Sequence, residues 1–269
     1  MSASAHDPAL GIAAITERLR AAGCVFAEEE AALLIGEAGS PEALRIMVEQ
    51  RIAGLPLEHI VGWAEFCGIR IDLEPGVFVP RRRSELLVRL ATAKVTPGSV
   101  VIDLACGSGA IGAAIAARAA SAPVPVQLHA CDVDPAAVRC AARNLSAAGG
   151  HVYVGDLYDP LPAALRGQVS VIAANVPYVP TEAVVLMPAE ARMHEPLLAL
   201  DGGPDGLDIL RRAAADAGAW LAPAGHLLIE SSRGQAQAAA EAFEAAGLAA
   251  EIATDDDLGA TVIVGQLPP

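Results

Sequence analysis

The sequence predicts an α/β protein built on a mostly parallel sheet, with a smaller helical region in front of it. From residue 99 onward, apolar runs of strand length alternate with Ala-rich stretches of helical length. Such alternation is typical of a parallel sheet covered by helices on both faces. Residues 1–55 show only helical spacing. The hydrophobic fraction of 54%, much of it alanine, favours the same class because alanine stabilises helices.

Composition excludes several kinds of function. A net charge of −14 argues against sequence-independent binding to phosphate backbones, and 3% aromatic residues argue against a base-stacking platform. The five cysteines are odd in number and form no CxxC pair, which predicts a reduced cytoplasmic protein without disulfides or a zinc site. The segment Met1–Pro8 lacks the features of a signal peptide. We expect a soluble monomer, with no membrane association and no stable nucleic-acid complex.

The N-terminal region predicts a series of helices. Apolar residues recur at helical spacing over Ile12–Leu19, and a second helix begins at the acidic run Glu28–Glu30, which suits a helix N-terminus. Ser40 followed by Pro41 marks the start of a third helix, which runs towards Gly54.

A β-hairpin is predicted next. Ile69–Leu73 alternates apolar and polar residues, Val77–Val79 is apolar, and Pro75-Gly76 between them is a turn signal. The run Pro80–Glu85 then opens another helix.

The rest of the chain predicts six strands and four helices. The strands are residues 100–104, 126–131, 152–154, 169–173, 227–229 and 261–264, and the helices are 110–120, 134–149, 205–221 and 235–246.

A glycine-rich turn after the first of these strands is the first candidate site. Gly107–Gly112 matches GxGxxG, and Asp132 follows about twenty residues later, as in a dinucleotide site. The match begins several residues past the strand, however. Asp103 would also direct a carboxylate towards the position of the pyrophosphate. A dinucleotide therefore fits poorly.

A ligand with an ammonium group and an adenosine fits the same residues better. Asp103 would attract the cation, and the small residues Ala105, Gly107 and Gly109 would let the backbone approach closely. Asp132 would accept hydrogen bonds from both ribose hydroxyls. These features indicate S-adenosyl-L-methionine, against the alternative of a purely structural turn.

Asp156 ends the next strand and is the candidate partner of the adenine amino group, with Leu157 against the ring. A turn or helix cap is an equally good interpretation of Asp156. Cys106 and Ser108, within the turn, and Asn175 complete the predicted cofactor-binding set.

A second candidate site follows the strand 169–173. There Asn175-Val176-Pro177-Tyr178 places an amide, a fixed kink and an aromatic ring at a strand end, where open α/β sheets bind ligands. The Asn175 side-chain oxygen and the Val176 carbonyl can accept both N–H groups of a planar, non-basic nitrogen. The pattern therefore predicts methylation of such a nitrogen. The alternative interpretation is a turn that ends the strand and has only a structural role.

Together these motifs resemble the release-factor glutamine methyltransferases, the HemK/PrmC family, over nearly the full chain. The match lies in Pro80-Arg81, Ser84-Glu85, Asp103–Gly109, Asp132, Asn175–Tyr178, His194–Pro196 and Leu200–Leu207. The resemblance implies a class I S-adenosylmethionine-dependent methyltransferase with a Rossmann-like seven-stranded sheet whose last strand is antiparallel. It also implies transfer of a methyl group to the side-chain amide nitrogen of a glutamine in a protein, such as the Gly-Gly-Gln loop of a class-1 peptide release factor.

Two departures from the family pattern indicate a related branch. The first glycine of the cofactor loop is Ala105, and the usual Asn-Pro-Pro-Tyr is Asn-Val-Pro-Tyr, with Val176 in place of proline. The run Arg81–Arg83 is either a contact for RNA or an acidic partner, or a solvated helix start.

We expect residues 1–66 to form a helical substrate-recognition domain, 67–80 a hairpin linker, and 81–269 the methyltransferase domain. Asn175, Val176, Pro177 and Tyr178 are the predicted catalytic residues, and no metal is expected. Two alternatives remain open: a methyltransferase of an exocyclic amino group in nucleic acid, which shares Asn175–Tyr178 but needs a basic face, and a non-catalytic S-adenosylmethionine-binding module.

Overall fold

A computed structural model describes residues 11–120 and 125–269. The prediction about a signal peptide at Met1–Pro8 falls outside these residues. In the described part of the chain, no helix is long and apolar enough to cross a membrane.

Four helices form the N-terminal unit, and their apolar faces enclose a small core of their own. Ser40 caps the third of them as predicted, because its hydroxyl accepts a hydrogen bond from the Ala43 amide at 3.1 Å. Ile15, Leu19, Leu34 and Val48 lie fully buried between the helices. The helices are α1 (Ile12–Ala21), α2 (Ala27–Glu37), α3 (Pro41–Ile52) and α4 (Leu57–Val61).

The hairpin lies six to eight residues earlier than predicted. β1 (Trp63–Phe66) pairs with β2 (Ile69–Asp72), so the turn is Cys67-Gly68 and not Pro75-Gly76. Both turn residues have positive φ, +53° and +77°, which is the combination that a tight two-residue hairpin turn needs. Cysteine is an unusual residue for that conformation, so its residue type did not indicate a turn. Val77–Val79 forms no strand.

A seven-stranded sheet forms the centre of the larger unit. Its order is β5-β4-β3-β6-β7-β9-β8; β9 is antiparallel to both of its neighbours and the other adjacent pairs are parallel. The fold class and the antiparallel last strand are therefore confirmed. The strands are β3 (Val100–Leu104), β4 (Gln127–Asp132), β5 (His151–Val154), β6 (Val169–Ala174), β7 (Leu221–Ser231), β8 (Ala249–Asp255) and β9 (Ala260–Gln266).

Helices cover both faces of this sheet and bury two apolar layers. One layer is centred on Ile102, Ile172 and Phe243, and the other on Val101, Ile115 and Val171. Residues 101 and 102 thus face opposite sides, as the pleat of a strand requires. The helices are α5 (Glu85–Thr92), α6 (Ala110–Ala119), α7 (Pro135–Leu145), α8 (Ala189–His194), α9 (Asp208–Ala217) and α10 (Ala236–Ala245).

Two further elements differ from the prediction. The pattern of residues 249–255 gave no strand signal, because these residues belong to an edge strand and most are exposed or only half-buried. The helix predicted to reach residue 221 ends at Ala217, and Leu221 begins β7. Short helical turns connect Thr181 to Ala199.

Candidate active site

The carboxyl ends of β3, β4 and β6 open into one cavity of about 740 Å³. Eleven of the thirteen predicted site residues line it, and two do not: Asp103 and Gly109. The lining residues among them are Ala105, Cys106, Gly107, Ser108, Asp132, Asp156, Leu157, Asn175, Val176, Pro177 and Tyr178.

Asp103 lies beneath the cofactor loop, fully buried. One of its oxygens accepts a hydrogen bond from the Gly112 amide at 2.8 Å, whereas Oδ1 has no partner in the described chain. Burial raises the pKa of this carboxyl to about 8, with a smaller contribution from the charge of Asp132. A Cβ at Gly112 would lie 3.0 Å from the carboxylate, so the glycine lets the helix approach it.

The loop over Asp103 is held in a left-handed backbone conformation at three positions. Ala105, Gly107 and Gly109 have φ of +53°, +53° and +76°. A Cβ at Gly109 would also lie 3.0 Å from that of Ala141 on α7, so Gly109 has a packing role although it does not line the cavity. Ala105 adopts the same backbone as a glycine and carries the strain of its Cβ.

Asp132, at the end of β4, presents its carboxylate on the opposite side of this loop. Its two oxygens accept hydrogen bonds from the Gly107 amide at 2.8 Å and the Asp134 amide at 2.9 Å. Each oxygen keeps a second lone pair, so the carboxylate can still accept from a diol. Burial raises the pKa of Asp132.

Asp156 is exposed at the cavity rim, where it accepts a hydrogen bond from Arg212 at 2.6 Å. Leu157 beside it is buried and has a φ of +46°, which turns the chain into the cavity. Arg212 also lines the cavity, and no sequence motif pointed to it.

Asn175 follows directly on β6, and the segment after it is held by backbone hydrogen bonds to the loop that begins at Leu200. The Val179 amide donates to the Leu200 carbonyl at 3.0 Å, and the Gly202 amide donates to the Val179 carbonyl at 2.9 Å. A Cβ at Gly202 would lie 2.6 Å from the Pro177 carbonyl oxygen. The loop that begins at Leu200 thus supports the second candidate site.

A buried carboxylate that the sequence analysis missed lies behind this segment. Glu230, in β7, is fully buried and accepts three hydrogen bonds: from Arg83 at 2.9 Å, from Ser84 at 2.5 Å and from Tyr178 at 3.1 Å. The Asn175 amide nitrogen donates in turn to the Ser84 hydroxyl at 3.3 Å. Burial and the charge of Glu230 raise the pKa of Tyr178, which keeps the phenol protonated and able to donate.

The basic run Arg81–Arg83 is mostly engaged inside the protein. Arg81 forms an ion pair with the buried Glu195 and lies over the Phe78 ring. Arg83 pairs with Glu230 and lies 5.7 Å from the centre of the Tyr178 ring, so two of the three arginines shape the cavity wall. Among the described residues, no cluster of His, Cys, Asp or Glu is arranged to hold a metal ion.

The residues in and beneath the cavity suit three features of S-adenosylmethionine: its ammonium group, its ribose diol and the size of its nucleoside. For the ammonium group, the chain offers the unpartnered carboxyl oxygen of Asp103 beneath the cofactor loop, and for the ribose, Asp132 offers acceptors for a diol. The loop from Ala105 to Gly109 is built of small residues that leave room for a nucleoside. Fold and site together define a class I S-adenosylmethionine-dependent methyltransferase.

Comparison with known proteins identifies the family. The family model described as "Methyltransferase small domain" matches residues 68–203. A release factor glutamine methyltransferase from Geobacter sulfurreducens is 33% identical over 225 residues, which cover 83% of this chain and 77% of that protein. The chain therefore belongs to the release factor glutamine methyltransferase family, HemK/PrmC.

Two further matches give context. A 4-amino-L-phenylalanine/4-methylamino-L-phenylalanine methyltransferase from Streptomyces pristinaespiralis is 35% identical over 74% of this chain and 69% of that protein. A methyltransferase structure from Pyrococcus furiosus matches 85% of this chain and 98% of that chain with a TM-score of 0.54 at 15% identity, which supports the fold.

The first testable prediction concerns the buried Asp103. Because its folded pKa of about 8 lies above the value of an unfolded aspartate, its contribution to stability is intact below about pH 4 and is lost as the pH rises towards 8. We therefore expect Asp103→Asn to melt close to the wild type at pH 4.5 but at least about 3 °C higher at pH 8. Thermal unfolding of both proteins without ligand measures this. Equal differences at the two pH values would contradict it.

The second prediction concerns the strained Ala105. A left-handed backbone costs a non-glycine residue about 1–2 kcal/mol, which exceeds the entropic cost of glycine of about 0.5–1 kcal/mol. We expect Ala105→Gly to raise the free energy of unfolding by up to about 1 kcal/mol, measured in urea. Ala238→Gly, at an exposed position of α10, is the matched control and should lower it by about 1 kcal/mol. Similar losses in both variants would show that Ala105 is not strained.

Proposed function

We propose that this protein transfers a methyl group from S-adenosyl-L-methionine to the side-chain amide nitrogen of a glutamine in a protein. The observation that carries the proposal is that Asn175–Tyr178 and the cofactor loop line one cavity. Membership of the release factor glutamine methyltransferase family supports the same substrate group.

The segment Asn175–Tyr178 suits an amide substrate for a chemical reason. The lone pair of an amide nitrogen is delocalised into the carbonyl, so the nitrogen is a poor nucleophile. In the described chain, no donor occupies the Asn175 side-chain oxygen or the Val176 carbonyl oxygen. These two acceptors can hold both N–H groups of the amide while the nitrogen pyramidalises towards the methyl group. Val176 supplies a backbone carbonyl just as proline would, so this departure from the family pattern keeps the acceptor.

The remaining catalytic demand is orientation. S-adenosylmethionine supplies the methyl group on a positively charged sulfur. The glutamine nitrogen would form its bond to the methyl carbon as the carbon–sulfur bond broke and the sulfur left as a neutral thioether, and the nitrogen would then lose one of its two protons to solvent. In-line positioning of two reactants can lower such a barrier by about 7–11 kcal/mol. Tyr178, held by Glu230, forms one wall against which a flat amide can pack.

We further propose that the substrate is a class-1 peptide release factor and that the helices within residues 1–66 help to recognise it. The helical unit contacts the catalytic unit beside the cavity: Arg51, which pairs with Glu30 of its own unit at 2.6 Å, also reaches Glu190 at 3.5 Å, and His59 contacts the Val77 carbonyl of the linker at 2.8 Å. Glu190 lines the cavity, so a partner bound to the helices would also face the active site. Within this proposal, residues 67–80 are the linker and 81–269 the catalytic domain. A cytoplasmic location fits the five free cysteines.

A second candidate substrate is a small aromatic amine. The relative from Streptomyces pristinaespiralis, named for methylation of 4-amino-L-phenylalanine, is as similar to this chain as the release factor enzymes are. An aniline nitrogen is also planar and weakly basic, so the same pair of acceptors suits it.

Labelled methyl transfer tests the proposal. The protein is incubated with radiolabelled S-adenosylmethionine and a cell extract in which glutamine methylation has been prevented, in parallel with Asn175→Ala. We expect a labelled glutamine in a release factor, identified by mass spectrometry, and a rate at least about 100-fold lower in the variant because one acceptor is lost. Binding of S-adenosylmethionine and the melting temperature of the variant serve as controls.

Other patterns of label would refute the proposed substrate. If 4-amino-L-phenylalanine is added and the label appears in small molecules, the substrate is the aromatic amine. Label lost on nuclease treatment would indicate nucleic acid. Bound cofactor with no label in any fraction would indicate a binding module without turnover.

A further inference from the structure

The hydrogen bonds behind Asn175 have a fixed direction. Glu230 accepts from Arg83, Ser84 and Tyr178, and a carboxylate beside a guanidinium at 2.9 Å has no proton to donate. The Ser84 hydroxyl therefore uses its single proton in the hydrogen bond that it donates to Glu230, at 2.5 Å. Its oxygen can then only accept a hydrogen bond from its other neighbour, which is Asn175 at 3.3 Å.

We infer that Glu230 is a positioning residue which, through Ser84, fixes which end of the Asn175 amide faces the substrate. An asparagine side chain can rotate by 180° and exchange its oxygen and its NH₂ group with almost no change of shape. Only one of the two orientations donates to Ser84. In that orientation Nδ2 lies against the serine and Oδ1 is directed away from it. This inference rests on the proposed function, because Asn175 Oδ1 can act as an acceptor in catalysis only if the substrate carries N–H groups.

The opposite orientation would disable the site. It would place Asn175 Oδ1 against an acceptor-only serine oxygen, and it would turn the NH₂ group towards the N–H groups of the substrate. Two donors facing each other repel, and a buried polar group without a partner costs about 1–3 kcal/mol. Ser84 is 2% exposed and Glu230 is fully buried, so water does not supply the missing partner.

The burial of Glu230 is consistent with this role. A fully buried carboxylate is costly, and here it is offset by three donors that come from two separate segments, residues 83–84 and residue 178. The same carboxylate thus also holds Tyr178. Arg83 and Tyr178 hold Glu230 in place by donating hydrogen bonds to it. Glu230 accepts the hydrogen bond of the Ser84 hydroxyl, and Ser84 in turn selects the orientation of Asn175.

A reversal of polarity tests the inference. In Glu230→Gln the new amide can donate to Ser84, which frees the serine proton for Asn175 Oδ1 and favours the wrong orientation. We expect kcat for glutamine methylation to fall by about 10-fold or more, with KM and cofactor affinity changed by less than about threefold. Glu251→Gln, an exposed position on β8, is the matched control and should leave kcat unchanged. Wild-type kcat in folded Glu230→Gln would overturn the inference.

Ser84→Ala provides a test that does not depend on the folding of the first variant. Without the serine, either orientation of Asn175 is open, so kcat should fall by about 2- to 5-fold. In this background Glu230→Gln should cost little more, since the connection to Asn175 is already cut. Full additivity of the two changes would show that Glu230 acts by another route.

A compensating change separates direction from mere structural support. In Glu230→Gln combined with Asn175→Asp, both oxygens at position 175 are acceptors, so one can accept from Ser84 and the other from the substrate. We expect this double variant to exceed Asn175→Asp alone in kcat by about 5-fold or more. A double variant that is the less active of the two would refute the model.

Nuclear magnetic resonance tests the hydrogen bond without any substrate. The side-chain amide protons of Asn175 are identified by their absence from the spectrum of Asn175→Asp. Their exchange with solvent should be at least about threefold faster in Ser84→Ala and in Glu230→Gln than in the wild type. If glutamine methylation fails in the wild type but this difference is present, the proposed function is wrong and the fixed orientation stands. Unchanged exchange alongside normal methylation would reject the orientation alone.

Discussion

The parallel pairing of β3 with β6 is the constraint on which the whole site depends. Leu104 pairs with Ala174, so the residues that follow each strand, Ala105 and Asn175, emerge side by side at the same edge of the sheet. Ala174 also pairs with Ile229 on the other side, which brings Glu230 next to Asn175. A shift of either register by one residue would turn these side chains to the opposite face and separate the cofactor loop from the acceptor pair.

Two buried carboxyl groups, Asp103 beneath the cofactor loop and Glu230 behind Asn175–Tyr178, differ in how many donors they have. Glu230 has three donors and an arginine, and it is a completed structural element. Asp103 has one backbone donor and one unpartnered oxygen, and burial raises its pKa. The first arrangement stabilises a side-chain orientation, whereas the second leaves a buried carboxyl oxygen without a donor.

Much of the fold and site could be predicted because local chemistry repeats along the chain. The alternation of strands and helices, the Ser40 cap and the turn after β3 each depend on neighbouring residues. Ala105 and Val176 were recognised from the sequence as departures from the family pattern. The structure shows that Ala105 keeps the left-handed turn at the cost of backbone strain. The hairpin was misplaced because Cys67 adopts a positive φ that its residue type does not indicate. The edge strand β8 was missed because exposed positions carry little apolar pattern.

The sequence by itself determined the class of protein, and it located the turn after β3 and the Asn175–Tyr178 segment as candidate sites, since each of these two is a short continuous motif with its own backbone requirement. It did not show Glu230, Gln235 or Arg212 as parts of the site. Gln235 donates to the Tyr178 carbonyl at 2.9 Å, and Glu230 reaches Ser84 across 146 positions of the chain. Such contacts depend on the strand order and on which side chains face the same edge of the sheet. Only the tertiary structure decides these, because hydrogen bonds between distant segments leave no periodic pattern in the sequence.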